Sequence, residues 1–360
     1  MNKETMLYIR HSFHSKTKSN DFLIEILKEY YDITVYDIDP YTQDDEIMLK
    51  QIPIKDVDVL LLFQLPISGD LLKKYINFKK GVFFPMYDGA PSRNDQIWLS
   101  WKDFNIINFS KTLHNELLQM GFSSFYIQYF PKPIDNINNF GEINSVFFWQ
   151  RITNLNIKIF KDIFKVLNIK KVHLHKAIDP THKFVEPTEN DKYEIEYSSW
   201  YENKNEMLND IKKSALYVAP RLYEGIGMSF LEAMAMGRCV ISPNNPTMNE
   251  YIEDGVTGIL YDFNIPKIYK KFDIRQIQMN TYKYICEGYK KFEIEKHNII
   301  SFINSPTIVN LEKIKKIKFV SNNRINVLKK IFSITNSKER KHKIITILGI
   351  KIKIKKGAIK

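Results

Sequence analysis

The stretch Val218-Ala-Pro-Arg-Leu-Tyr-Glu-Gly-Ile-Gly-Met-Ser-Phe-Leu-Glu-Ala-Met-Ala-Met-Gly237 decides the fold. It begins as the end of an apolar run, Ala215 to Ala219, passes a turn carrying Pro220, Gly225 and Gly227, and becomes strongly helix-forming through Ala233 and Ala235. This reads as strand, loop, helix. At such a junction the first backbone N–H groups of the helix have no intrahelical acceptor and point into the loop. The positive end of the helix dipole lies there too, so an anion is expected to settle on it.

Two carboxylates, Glu224 and Glu232, bracket the glycines eight residues apart. The spacing alone means little, because it recurs at Glu186/Glu194, Glu194/Glu202 and Glu287/Glu295. The context carries the signal: Glu224 in the loop and Glu232 one turn into the helix both face a ligand whose phosphates rest on the amides of Gly225, Ile226, Gly227, Met228 and Ser229. A carboxylate accepts two hydrogen bonds, which suits paired hydroxyls on a ribose or a hexose. The competing reading is a surface helix with two solvated glutamates.

The run Glu224 to Gly237, followed by Arg238-Cys-Val-Ile-Ser242, resembles the donor-site signature of retaining glycosyltransferases of GT-B fold, the family-four type found in bacterial surface-polysaccharide synthesis. Glu250-Tyr-Ile-Glu-Asp-Gly-Val-Thr-Gly-Ile-Leu-Tyr261 resembles the segment that follows it in those enzymes. The resemblance implies that Glu224 reaches sugar hydroxyls, Glu232 holds the ribose, and the amides of Gly225 to Ser229 hold the diphosphate. It also implies an Arg and a Lys after the first strand of the donor domain. Arg151, in Phe147-Phe-Trp-Gln-Arg151, and Lys158 occupy that place, with Gln150 where a Gly usually stands. Lys158 reads equally as a solvated helix residue.

Composition narrows the class. A chain of 360 residues with 44% apolar and 13% aromatic residues can bury two cores and is not disordered. Met1 to His14 lacks the apolar core of a signal peptide, and no apolar run approaches the ~18 residues of a membrane span. A cytoplasmic protein is expected. Its two cysteines, Cys239 and Cys286, read as buried thiols. The formal charge of +12 is not spread evenly: residues 305–360 hold 16 Lys and Arg against 2 acidic residues, and the preceding 304 sum to −2. The body has no basic field for steering nucleic acid, so no nucleic-acid partner is expected.

Along the first third, short apolar runs alternate with helical patterns, which argues for βα units and a parallel sheet. Strands are expected at Met6–Arg10, Ile33–Asp37, Val57–Phe63, Gly81–Met86, Asn105–Phe109 and Phe125–Phe130, with helices at Ser19–Tyr31 and Ser110–Met120. Pro131-Lys-Pro133 and the Asn-rich run to Glu142 form the linker candidate. The alternation restarts at Val146–Trp149, Val172–His175, Tyr193–Tyr197, Leu216–Ala219, Cys239–Ser242 and Gly258–Tyr261, with a helix at Leu155–Leu167. The alternation argues for α/β, and the resemblance implies two Rossmann-like doubly wound domains facing each other across a cleft, the first for the acceptor and the second for the donor. Residues 1–138 form the acceptor side, 139–265 the donor side, 266–304 helices that cross back or stay local, and 305–360 a basic tail.

Several other residues are candidates. Phe84-Pro-Met-Tyr-Asp88 leaves a strand and turns at once, so Tyr87 and Asp88 should stand at the cleft, with Asp88 as a catalytic contact. Tyr87 replaces a His common in the resembling family, and His11-Ser-Phe-His14 replaces a Gly-rich turn. Those histidines read as exposed loop residues or acceptor contacts. Arg221 enters the cleft or braces the loop. Asp37/Asp39 and Asp56/Asp58 are weak metal signals, and no metal or cofactor is expected. In the tail, the Ile/Lys alternation from Ile350 reads as a strand with an apolar and a cationic face, which suits an anionic membrane surface. An added edge strand or a disordered basic tail is the competing reading.

The expected function is transfer of a sugar from a nucleotide-diphosphate donor to a hydroxyl of a glycan or glycolipid acceptor. A nucleotide-sugar epimerase of the same fold and a noncatalytic binding module are the alternatives.

Overall fold

In Asp56-Val-Asp-Val-Leu-Leu-Leu-Phe63, five consecutive apolar residues from Val59 are buried, the signature of a strand covered on both faces. Around it the computed structural model, which describes residues 3–39, 44–93, 95–135, 137–188, 192–314 and 316 and the backbone of three strands beyond them, builds a parallel sheet. Its strands are β1 (Glu4–His11), β2 (Tyr31–Ile38), β3 (Asp56–Phe63), β4 (Asn77–Phe84), β5 (Phe104–Asn108) and β6 (Ser124–Tyr126), in the order β2-β1-β3-β4-β5-β6. Helices α1 (Phe13–Thr17), α2 (Asp21–Lys28), α3 (Asp45–Gln51), α4 (Gly69–Tyr75) and α5 (Lys111–Met120) connect them. Ser110 caps α5, and Gly121 ends it in the left-handed region at φ 96°.

The second sheet repeats the plan with β7 (Glu142–Trp149), β8 (Lys171–His175), β9 (Glu194–Ser198), β10 (Ser214–Val218), β11 (Cys239–Pro243) and β12 (Ile259–Tyr261), ordered β12-β11-β10-β7-β8-β9 and again all parallel. Helices α6 (Lys161–Val166), α7 (Lys204–Lys213) and α8 (Met228–Ala235) cover it. Strand order reverses between β1 and β3 in the first sheet and between β7 and β10 in the second. Ligands of open α/β sheets bind beyond the carboxyl ends of the strands at such points. Here the two switch points face each other.

Several elements differ in their bounds from the sequence expectation: the strand expected at Gly81–Met86 runs over Asn77–Phe84, and Tyr31, expected to end a helix, opens β2. The helix expected over Leu155–Leu167 starts as a 3-10 turn, Ile157–Phe160, and becomes α-helical only in α6. The strand expected to run to Phe130 ends at Tyr126. Beyond it Ile127, Tyr129 and Phe130 leave the sheet and are buried between the domains, where Phe130 packs edge-on against Tyr251 and Tyr284. Cys239 is buried and Cys286 half-buried, both as free thiols.

Helix α9 (Ile274–Glu295) packs along α8, and its Phe292 lies against Phe22 and Tyr129 of the first domain. Helix α10 (Asn298–Ile303) follows, and Asn105 of β5 donates to the carbonyls of Phe302 and Ser305 at 2.9 Å each. The described residues after 305 do not begin as a free tail. Asn310 N–H donates to Gly121 O at 2.8 Å, and Ile314 is buried in the first-domain core. Farther on, β13 (Phe332–Asn336), β14 (His342–Ile347) and β15 (Ile350–Lys355) form an antiparallel sheet in which Ile347 pairs with Ile350 and Ile345 with Ile352. Among the described residues no helix is long and apolar enough to cross a membrane.

Candidate functional site

The loop after β10 is shaped by two glycines with different reasons. Gly227 precedes α8 in the left-handed region at φ 83°, and a Cβ there would meet the Phe230 ring at 1.9 Å. At Gly225 the demand is space: a Cβ would lie 2.6 Å from Met86 Cβ and 2.9 Å from Asp88 Oδ1, both on the opposite domain. The loop is pinned from behind, where Thr247 Oγ1 donates to Glu224 O at 2.7 Å and Asn245 Nδ2 donates to Leu222 O at 3.1 Å. The amides at the start of α8 are left to face a cleft of about 360 Å³ between the two sheets.

Asp88, Arg151, Glu224, Glu232 and the loop from Gly225 to Ser229 all line this one cleft. Lys158 does not. The 3-10 turn capped by Asn156 drives Ile157 and Phe160 into the second-domain core and turns Lys158 out to solvent, which corrects its place as a donor contact. The cleft cation that sequence reading missed is Lys204, whose ammonium donates to Glu232.

A chain of alternating charges crosses the cleft. Arg221 Nη1 donates to Asp88 Oδ2 at 3.0 Å on the first domain, and Nη2 donates to Asp179 Oδ2 at 2.6 Å on the second. The other oxygen of Asp179 accepts from Arg151 Nε at 3.0 Å and Nη2 at 2.7 Å, and the Arg151 guanidinium lies 4.6 Å over the Trp149 ring. Arg221 thus both enters the cleft and braces the loop. Asp179 was not singled out by sequence, its one local signal being a carboxylate shortly after a strand. Tyr87 turns away from the cleft to pack on Tyr223 and the first-domain core.

Glu224 is 7% exposed and its Oε1 has no hydrogen-bond partner among the described residues, a condition that costs about 1–3 kcal/mol for a buried polar atom. Burial pushes its carboxyl up to about 7, opposed by Arg221 and reinforced by Asp88. Burial also raises Asp88 against the pull of Arg221, and raises Glu232 against that of Lys204. An acceptor oxygen buried at a cleft wall without a donor is suited to a ligand hydroxyl.

Part of the first-domain wall comes from helix α1, which follows β1. His14 is buried, contrary to the exposed reading, and contacts Gln64 Oε1 through Nε2 and Ser19 Oγ through Nδ1, each at 2.7 Å. Burial lowers its pKa to about 4, so it is neutral at pH 7. Lys16 reaches over the mouth to sit 4.3 Å above the Trp200 ring of the other domain. The aspartates weighed as metal signals are otherwise engaged: Asp37 accepts from Arg10 at 2.7 Å, and Asp58 accepts from Lys79 at 2.7 Å.

With that geometry in place, residues 189–273 match the family model described as glycosyl transferases group 1. A Klebsiella pneumoniae protein described as an uncharacterized 41.2 kDa protein in the cps region is 26% identical over 142 residues, a match spanning 39% of each chain. Two solved structures share the architecture. Anabaena Alr3699/HepE in complex with UDP and glucose superposes with a TM-score of 0.55 at 12% identity, covering 83% of this chain and 99% of that one. Trehalose-6-phosphate synthase OtsA superposes with a TM-score of 0.58 at 6% identity, covering 84% and 100%. These identities speak to fold, and the group 1 match falls on the loop that the glycines shape. The chain has the GT-B fold, two Rossmann-like domains facing each other across a cleft, and residues 189–273 of its second domain match the glycosyl transferases group 1 model.

Proposed function

We propose that the protein is a retaining glycosyltransferase that moves a sugar from a nucleotide-diphosphate donor to a hydroxyl of a glycan or glycolipid acceptor in bacterial envelope polysaccharide synthesis. The observation that carries this is the meeting, in one interdomain cleft, of free helix-α8 amides, Arg151, and the buried carboxylates Glu224 and Glu232. The amides and guanidinium suit a diphosphate, and the carboxylates suit sugar and ribose hydroxyls. The group 1 match and the GT-B fold favour a nucleotide-sugar donor, and the relative from a cps region favours surface polysaccharide. As the glycosidic bond breaks, positive charge builds on the sugar ring and negative charge on the leaving diphosphate, so the work of the site is electrostatic and positional. No catalytic divalent ion is required in this reading. The test is thermal stabilisation by a panel of nucleotide sugars, followed by product analysis with and without acceptor. Stabilisation by none of them overturns the reading, and product without acceptor points to an epimerase instead.

Within this reading Glu232 holds the ribose, and Lys204, its partner in the cleft, gives it up when donor arrives. Glu232→Ala should raise the donor KM by roughly 10-fold and leave kcat within a few-fold, since a ribose contact is made in ground and transition state alike. Steady-state kinetics decide it: unchanged KM removes Glu232 from the donor site.

The basic C-terminal segment is proposed to hold the enzyme on the cytoplasmic face of an anionic membrane. Residues 305–360 carry +14 of formal charge, and each Lys near an anionic leaflet contributes ~1 kcal/mol within a Debye length of ~10 Å at 0.1 M salt. Because Ile314 is part of the first-domain core, the informative truncation ends at Lys316 rather than Asn304. The full chain should co-sediment with phosphatidylserine vesicles at low salt and partly leave them at high salt. The truncated chain should stay in solution yet still bind nucleotide. Equal sedimentation of the two chains removes the membrane role.

A further inference from the structure

Of the four Lys and Arg side chains that line the cleft, two are committed elsewhere: Lys16 stacks on Trp200 and Lys204 pairs with Glu232. Arg151 and Arg221 remain beside the amides of Gly225 to Ser229. Their guanidinium groups are held by the two oxygens of a single carboxylate, Asp179. Two planar forks fixed side by side match a pair of linked phosphates better than one does. Arg221 also keeps a buried Nε–H that finds no acceptor among the described residues. Its remaining arm is spent on Asp88 of the opposite domain. That carboxylate is wedged against the loop, with Oδ1 2.9 Å from the point where a Cβ on Gly225 would stand. A negative group therefore sits beside the amides that would receive the phosphates.

We propose that Arg221 is the second cation of the diphosphate subsite and that, before donor binds, Asp88 holds it in competition with the diphosphate. This rests on the nucleotide-diphosphate reading above and adds to it a named cation, a named competitor and a consequence. When the diphosphate arrives, Arg221 keeps Asp179 and exchanges Asp88 for phosphate oxygen. Donor binding thereby releases a carboxylate on the acceptor wall of the cleft. The cross-domain ion pair is then a device that ties occupancy of the donor site to the state of Asp88.

The two partners should respond in opposite directions, which a merely structural brace would not do. In calorimetric titrations of the full-length protein with UDP, ADP and GDP, Arg221→Ala should weaken the preferred diphosphate roughly 10- to 100-fold, and Arg221→Lys should restore part of the loss. Binding of the matching monophosphate should change much less. Asp88→Asn should tighten diphosphate binding by about 3- to 10-fold, because the competing charge is gone while Asp179 still positions the guanidinium. A gain of affinity cannot come from a misfolded variant, so Asp88→Asn keeps the test decisive even if Arg221→Ala folds poorly. Unchanged or weaker diphosphate binding in Asp88→Asn, or equal loss of mono- and diphosphate in Arg221→Ala, overturns this proposal and leaves the donor reading standing. Failure of the wild-type protein to bind any of the three diphosphates overturns both.

Discussion

Replacing Glu224 by Gln is expected to lower kcat by ~100-fold or more and, at the same time, to make the protein more stable above pH 7. The loss follows from the role proposed for a carboxylate that orders sugar hydroxyls where positive charge builds on the ring, an interaction strongest in the transition state. The gain follows from burial. The folded protein holds the Glu224 proton up to about pH 7, whereas the unfolded chain releases it near the ordinary carboxylate range of ~4.3. Between those values the folded state binds more protons than the unfolded one, so stability falls as pH rises and levels off above about 7. Gln carries no charge and escapes that cost. The variant should match the wild type at about pH 4 and exceed it by about 1–3 kcal/mol at pH 8. Denaturant melts at the two pH values check this. A variant less stable than wild type at pH 8 would mean that Glu224 is an ionised, paired carboxylate in the fold. The same linkage predicts that wild-type kcat/KM for donor climbs with pH through about 7, since only the ionised carboxylate accepts from two hydroxyls.

Arg151→Ala should remove most activity, ~100- to 1000-fold, with magnesium supplied in excess. Arg151 is held from two sides, by two hydrogen bonds to Asp179 and by the face of Trp149, so its charge needs no rearrangement when the leaving diphosphate develops charge. Asp179→Asn should cost less than Arg151→Ala but more than an exposed change, because the one carboxylate orders both Arg151 and Arg221. Chelation with EDTA should leave wild-type turnover unchanged. Turnover abolished by EDTA and restored by manganese would overturn the metal-independent mechanism.

Much of this molecule can be read along the chain. A short apolar run such as Val59 to Phe63 reads as a strand covered on both faces, and Ser110 and Gly121 bracket α5 because capping is a matter of a few neighbouring residues. The glycines of the loop after β10 and the carboxylates beside them are equally local, so the strand, loop and helix from Val218 to Gly237 are legible in the sequence alone. The place of Arg151 comes from the family resemblance, and Arg151 lines the cleft just past the end of β7. Lys158 was misplaced because a 3-10 start rotates the residues after Asn156 differently from an α-helix, and that choice was settled by the burial of Ile157 and Phe160 in a core built from distant strands.

The sequence by itself determined two parallel-sheet units, their order, and the glycine-bearing loop between β10 and α8, since these depend on periodicity and turn chemistry within about twenty residues. Only the tertiary structure decided which charges meet there. Arg221 and Asp88 are 133 positions apart, and Lys204 and Glu232 are 28 apart. No short-range pattern pairs them, because Coulomb attraction between solvated side chains is weak and screened until the two sheets close and exclude water. The raised pKa of Glu224 has the same origin: its neighbours in sequence would leave it an ordinary carboxylate, and the opposing domain buries it.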